Sequence, residues 1–272
     1  MRSNFYSFGI VPAKGHKGFN LVELLAVVAV VVVLTGILLA VFSPSPSRIT
    51  RHAPGVICLN NSRRLNMALM MYAGDNNDRL VYNSPVAGPL ANSTNNWVGG
   101  VMDWSANPQN TNLHLLLDAQ LGPYLKESAV YHCPADKSVS AAGRRVRSYS
   151  MNAFVGDNRH GRLARGWKHF LKKSDFGHPG RTFIFLDEHP NSINDGWFVT
   201  IPDDTNAWYD LPASYHDGAG CFSFADGHSE IHRWLNPGTR QPVVPNGPKL
   251  DLTVPLTEAD DITWIVQRTS QK

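Results

Sequence analysis

The feature that most constrains this chain is an unbroken apolar stretch close to its N-terminus. Residues 21–42 read LVELLAVVAVVVVLTGILLAVF, 22 residues in which Glu23 is the only charge. About 20 apolar residues in a helix span the hydrocarbon core of a bilayer, so the length fits one crossing. A cleaved secretory signal carries a shorter apolar run, about 7–15 residues, followed by small residues at the cut. Here the run ends in SPSPS, and a retained span is expected. Lys14 and Lys17 precede it, which by the positive-inside rule keeps the N-terminus cytoplasmic; Arg48 and Arg51 follow closely and dilute that bias.

The rest of the 272 residues, a little over 200, suffices for one sizeable core or two small ones. Seven Trp and 10% aromatic residues argue for a folded domain rather than disorder. A net charge of +3 with scattered basic residues gives no footprint for nucleic acid. Cys58, Cys133 and Cys221 include no C-x-x-C pair, which disfavours zinc ribbons and thioredoxin-like motifs. In an exported domain one disulfide is plausible, with three pairings open and one thiol left over.

Glu23 needs an explanation. A carboxylate at the bilayer centre costs at least about 2.5 kcal/mol, but much less near an interface, where it also favours the helix N-terminal dipole. The residues before it sharpen the reading: Lys14-Gly15-His16-Lys17-Gly18-Phe19-Asn20-Leu21-Val22-Glu23. A basic leader ending in Gly18, then Phe19, then Glu23 five residues into the following chain resembles the N-terminal signal of type IV prepilins and type II secretion pseudopilins. The resemblance implies that a prepilin peptidase cuts between Gly18 and Phe19 on the cytoplasmic side and methylates the new amino group. It also implies that Glu23 neutralises the N-terminus of a neighbouring subunit within a filament.

A second resemblance covers the remainder. CLNNSRRLNMALMMYAGDNN, YHCPAD, VRSYSMNAFVG, FIFLDEHPNSINDGWF and SYHDGAGCFSFADGHSEIHRW are similar to blocks of one large subgroup of pilin-like proteins. Its C-terminal signature is a His, nine residues and Asp-Gly, matched here by His216, Asp226 and Gly227. Cys58 and Cys133 lie inside these blocks, whereas Cys221 stands where relatives more often have Gly. The resemblance therefore points to a Cys58–Cys133 disulfide, which in a loop so long would contribute about 2–5 kcal/mol. Three buried thiols are the alternative.

Read from the residues, Leu65, Leu69 and Tyr72, with Cys58 on nearly the same face, form the apolar stripe of an amphipathic helix ended by GDNND. Met67, Met70 and Met71 read as core filling. Pro44, Pro46 and Pro54 predict a kink or break after the span. A short helix is expected within 113–125. Segments 181–186, 197–201, 220–225 and 228–234 read as strands, the last two joined by a two-residue Asp-Gly hairpin in which Ala225 faces His228. Phe222, Phe224 and Ile231 would then share the core face, with His228, Glu230 and His232 opposite. Asp260 and Asp261 would cap a final helix over 262–268, anchored by Trp264.

The expected fold is α+β and pilin-like: an N-terminal transmembrane helix plus a second, amphipathic helix packed on an antiparallel β-sheet. The expected organisation is a leader (1–18), a transmembrane and assembly helix (19–42), a Pro-rich linker (43–55), an exported domain (56–235) and an extended tail with a short final helix (236–272). The expected function is a membrane subunit, not an enzyme. The resemblance places it in the bacterial inner membrane as a single-pass protein, N-terminus cytoplasmic and domain periplasmic. Its implied partners are prepilin peptidase and other pilin-like subunits, in a type IV pilus-like or type II secretion-like filament.

Two rivals are an anchored binding domain that never polymerises and an exported metal-dependent hydrolase using the His216/Asp226 region. The chain has H-S-E-I-H rather than H-E-x-x-H, and no G-x-S-x-G elbow, phosphate loop or dinucleotide fingerprint. A cation held by Asp187, Glu188, His216 and Asp226 would favour calcium, which some pseudopilins carry, because most of those donors are oxygens.

Overall fold

The computed structural model describes residues 20–42, 46–85, 93–158, 163–247 and 249–272. The chain divides into two compact units, 1–49 and 50–272. In the first, α1 (Leu21–Phe42) is a single helix of 22 residues. Its side chains from Leu21 to Leu39 are exposed, so an apolar cylinder is presented all round. A helix hydrophobic on every face has no water-facing side and suits a lipid environment. Thr35 satisfies its hydroxyl on the Val31 carbonyl, 2.7 Å away, so the span carries no unmet polar side chain there.

The next helix, α2 (Pro46–Asp75), begins where a linker was expected. It runs through Pro54, so the expected break does not occur over its 30 residues. Pro46 stands in the first turn, where its missing N–H costs nothing, and Pro54 forfeits one backbone bond without ending the helix. Asn77 and Asp78, both at positive φ, terminate it within GDNND. Cys58, Leu65 and Leu69 are fully buried and Tyr72 packs beside them, as the stripe predicts. Met67 and Met71 are instead exposed, and only Met70 reaches the core, because the first two fall off that stripe.

Small elements follow: the one-turn helices α3 (His114–Leu117) and α4 (Gly122–Leu125) and a two-stranded ribbon, β1 (Val139–Ser140) with β2 (Gly143–Arg144). The main sheet has five strands: β3 (Tyr149–Asn152), β4 (Phe183–Asp187), β5 (Trp197–Phe198), β6 (Ala219–Phe224) and β7 (Ser229–Arg233). Their spatial order is β5-β3-β4-β6-β7, antiparallel except for the parallel β3–β5 pair. The chain is thus mixed α+β with a mostly antiparallel sheet.

Both faces of this sheet are covered, which is why every residue of β3, β4 and β6 is buried. One face packs on α2: Met151, Ile184, Phe185 and Cys221 join Cys58, Leu65 and Leu69. Asn66 of α2 reaches across to donate to the Phe224 carbonyl at 2.6 Å. The other face carries Phe183, Leu186, Phe198, Phe222 and Phe224 against Trp234, Ile262 and Ile265. A bulge between Phe183 and Phe185 turns the adjacent Ile184 and Phe185 toward the same core.

The tail therefore closes the second core. Its helix, α5 (Asp260–Val266), starts two residues earlier than expected and has no side-chain cap. Asp261 instead accepts the backbone amides of Leu235 and Asn236, at 2.9 Å each, tying the helix to the end of β7. Trp264 packs on Phe222, His232 and Trp234, the anchoring role expected of it.

The β6–β7 hairpin departs from expectation by one residue. Ser223 pairs with Ser229, and Phe224 accepts Gly227 and donates to His228. Ala225, Asp226 and Gly227 therefore form a three-residue loop, with Gly227 at φ 97°. This is the turn-plus-bulge alternative to the two-residue hairpin. A slip of one residue exchanges the faces of a strand. His228, Glu230 and His232 consequently lie on the Phe222/Phe224 face, where His228 stacks on Phe224 at 4.3 Å and His232 on Trp264 at 3.7 Å. Ile231, expected in the core, pairs with Cys221 on the other face and is 38% exposed.

This register makes a measurable distinction. Phe222→Ala in the full chain should cost about 3–5 kcal/mol, and Ile231→Ala about 1 kcal/mol or less. Denaturant unfolding in detergent reads both; equal losses would mean that Ile231 is a core residue after all.

Candidate functional site

Two places concentrate unusual chemistry. The first is the start of α1. Asn20 precedes the helix and its side-chain oxygen accepts the Val22 amide at 3.3 Å, while Glu23 accepts the Asn20 amide at 3.1 Å. The two side chains form a reciprocal cap on the orphan donors of the first turn. Glu23 thus has a local partner within the chain. Gly18 and Phe19, the residues of the expected cut, lie outside the described residues.

The second place is buried where α2 meets the sheet. Asp187 ends β4, and its Oδ1 accepts the Cys221 amide of β6 at 2.7 Å. Its Oδ2 faces Cys58 Sγ of α2 at 3.6 Å and His216 Nε2 at 3.4 Å. His216, in the loop before β6, also has Cys133 Sγ 3.5 Å from the same Nε2. Tyr149 of β3 closes the group, its hydroxyl 2.8 Å from Cys58 Sγ and 3.1 Å from the Cys58 carbonyl. One donor atom from each of Cys58, Cys133, Asp187 and His216 lies within 4.8 Å of the others.

All three cysteines are free thiols, so the Cys58–Cys133 disulfide expected from the resemblance is not formed. The two sulfurs instead share a cluster with a carboxylate and an imidazole. Burial pushes the Cys58 thiol well up, and a hydrogen-bonding contact with the Cys58 thiol, followed by burial, raises Cys133. Burial disfavours a charged His216, but Asp187 and Cys133 beside it prevail and push its pKa up to about 10.

The other expected metal candidates lie elsewhere. Glu188 is buried, and its oxygens accept the hydroxyls of Ser150 and Ser192 rather than facing Asp187's partners. Burial, with Asp210 nearby, raises its pKa. Asp226 sits half-exposed at the hairpin turn, paired with His228 Nδ1 at 2.6 Å. His216 and Asp226 bracket the six-residue strand β6, which at about 3.3 Å per residue spans roughly 20 Å. The oxygen-rich set proposed for calcium is therefore not assembled. Sequence reasoning found Asp187 and His216 but did not join them to the two thiols, because the four positions carry no short-range spacing motif.

The cluster contains a thiol, an imidazole and a carboxylate, the ingredients of a nucleophilic relay. Such a relay uses opposite ring nitrogens, one toward the nucleophile and one toward the carboxylate. Here Cys133 and Asp187 both address Nε2. The geometry is convergent rather than linear, as in a set of ligands around one point.

Comparison with protein-family models, with curated proteins and with solved structures gives no match. Among the described residues, one helix is long and apolar enough to cross a membrane, Leu21–Leu39, by a length and composition that a signal sequence also satisfies.

The raised His216 value fixes a pH dependence for the metal-free chain. An imidazolium that titrates near 6.5 when unfolded and about 10 when folded contributes stability that is complete below about 6.5. That contribution is lost as the pH rises through about 10, and the raised thiols of Cys58 and Cys133 add a loss of the same sign in alkali. Stability of the chelator-treated chain should therefore fall from about pH 7 to about pH 10. His216→Gln should flatten that fall; an unchanged slope would remove His216 from the account.

Proposed function

We propose that this chain is a membrane-anchored pilin-like subunit, inserted through α1 and carrying residues 50–272 as its exported domain. The observation that carries the reading is the N-terminus of α1: an apolar helix of bilayer length whose only charge, Glu23, lies in its first turn. That carboxylate stands five residues beyond Gly18 in a basic leader, the pattern of prepilin-type signals. Cutting after Gly18 would leave a cationic amine at Phe19, one helical turn from Glu23. Among the described residues Glu23 accepts the Asn20 amide, and a carboxylate has acceptor capacity for further donors, such as the amine of a neighbouring subunit. An amphipathic helix packed on an antiparallel sheet supports the same reading as a plan.

On this reading the protein sits in a bacterial inner membrane, N-terminus cytoplasmic, and is processed by a prepilin peptidase. It then joins other pilin-like subunits in a pilus-like or secretion-type filament. Its role is assembly rather than catalysis.

The N-terminal residue of the protein recovered from native membranes tests the proposal by intact-mass and peptide mass spectrometry. A chain beginning at a methylated Phe19 is expected. Glu23→Ala should leave that cut in place and reduce cross-linking between cysteines placed in α1 of neighbouring copies by about tenfold or more, the scale of one lost charge-assisted contact. A chain beginning at Met1 would leave α1 as an ordinary anchor, and a cut beyond Phe42 would make the domain a secreted one.

A further inference from the structure

We propose that Cys58, Cys133, Asp187 and His216 form a structural zinc site that pins α2 to the sheet. Tetrahedral zinc holds sulfur at about 2.3 Å and nitrogen or oxygen at about 2.0–2.2 Å, which sets ligand-to-ligand edges of about 3.6 Å for S···N and S···O and about 3.4 Å for N···O. The corresponding separations here are 3.5 Å for Cys133 Sγ to His216 Nε2, 3.6 Å for Cys58 Sγ to Asp187 Oδ2 and 3.4 Å for His216 Nε2 to Asp187 Oδ2. The last is long for a charge-assisted hydrogen bond, which prefers about 2.7–2.9 Å, and right for two ligands of one ion. Every donor pair lies within 4.8 Å.

The surroundings have the form of a second shell. The Cys221 amide fixes the carboxylate through Oδ1, leaving Oδ2 as the ligand. The Tyr149 hydroxyl lies 2.8 Å from Cys58 Sγ, where it could donate to a thiolate once the metal is bound. Two thiolates and an imidazole are too soft a set for calcium or magnesium and suit zinc. Four protein ligands complete a tetrahedron and leave no position for a reacting water, so the role is structural. Of the four ligands, His216 borders a cleft of about 330 Å³ whose other walls include Gly55, Val56, Leu59 and Arg233. A Cβ at position 55 would press on Ile231 Cδ1 at 3.1 Å and only touch His216 Nδ1, at an ordinary contact distance of 3.6 Å.

The ligands come from α2, the loop before β1, the end of β4 and the loop before β6, so the ion would join four segments that are distant in sequence. It would also hold two thiols against oxidation in an exported domain. This inference does not depend on membrane processing or polymerisation.

The test is elemental analysis and cobalt substitution on the full chain, purified in detergent without chelator. About one zinc per chain is expected, since a closed structural site binds tightly. Replacement by Co²⁺ should give the strong visible bands of a tetrahedral ion with thiolate-to-cobalt charge transfer. Cys133→Ser and His216→Ala should lose most of the metal, whereas Cys221→Ala and Asp226→Asn should keep it. If the ligand variants fail to fold, the cobalt spectrum of the unaltered chain still decides. A chain that takes up no zinc on titration, an octahedral cobalt spectrum without thiolate bands, or a Cys58–Cys133 disulfide in freshly isolated protein would each overturn the proposal.

Discussion

The carboxylate of Asp187 is the point on which the larger unit, residues 50–272, turns. It is fully buried at the end of a central strand, where an isolated charge would be expensive. One oxygen is committed to the amide of the neighbouring strand and the other faces α2 and the His216 loop. A single side chain thereby touches β6, α2 and the His216 loop at once, adding to the strand ladder and the two cores that set their places. Because both faces of β6 are buried, neither element can shift without emptying one core to crowd the other.

Much of this arrangement was legible beforehand. The apolar length of α1 and the Cys58/Leu65/Leu69 stripe of α2 follow from periodicity and length alone. The strands β4, β6 and β7 follow from aromatic and β-branched runs. Strand β3 did not stand out, because Tyr149-Ser150-Met151-Asn152 looks half polar. Its buried polar side chains are spent on Glu188 and on the carbonyls of Phe183 and Thr269, partners that only the tertiary structure brings near. The hairpin failed by one residue because Asp-Gly serves two turn types, and the choice between them is made by packing. The stacking of His228 on Phe224 and of His232 on Trp264 goes with the longer loop.

The candidate site was half legible for a different reason. Residue type alone marked Asp187 and His216 as chemically loaded, but Glu188 and Asp226 looked equally so. What separates them is the direction each side chain takes from its backbone: Glu188 follows Asp187 by one residue and so points to the opposite side of the strand. The thiols of Cys58 and Cys133 drew attention only as partners for each other. Their shared neighbours come from positions more than fifty residues away in the chain, beyond the reach of any spacing rule.

The hairpin loop has an implication for the nine-residue interval between His216 and Asp226-Gly227. Those two ends do not meet; they mark the two ends of β6, with the histidine docked under α2 and the glycine setting where the chain doubles back. The interval therefore works as a gauge of odd-even parity. Adding or removing one residue would leave the histidine docked while turning Cys221 into the core beneath α5 and Phe222 toward α2, whereas a change of two would preserve the orientation and merely lengthen or shorten the ribbon. A fixed count between two remote residues can thus be a specification of which way a strand faces rather than the mark of a shared active centre.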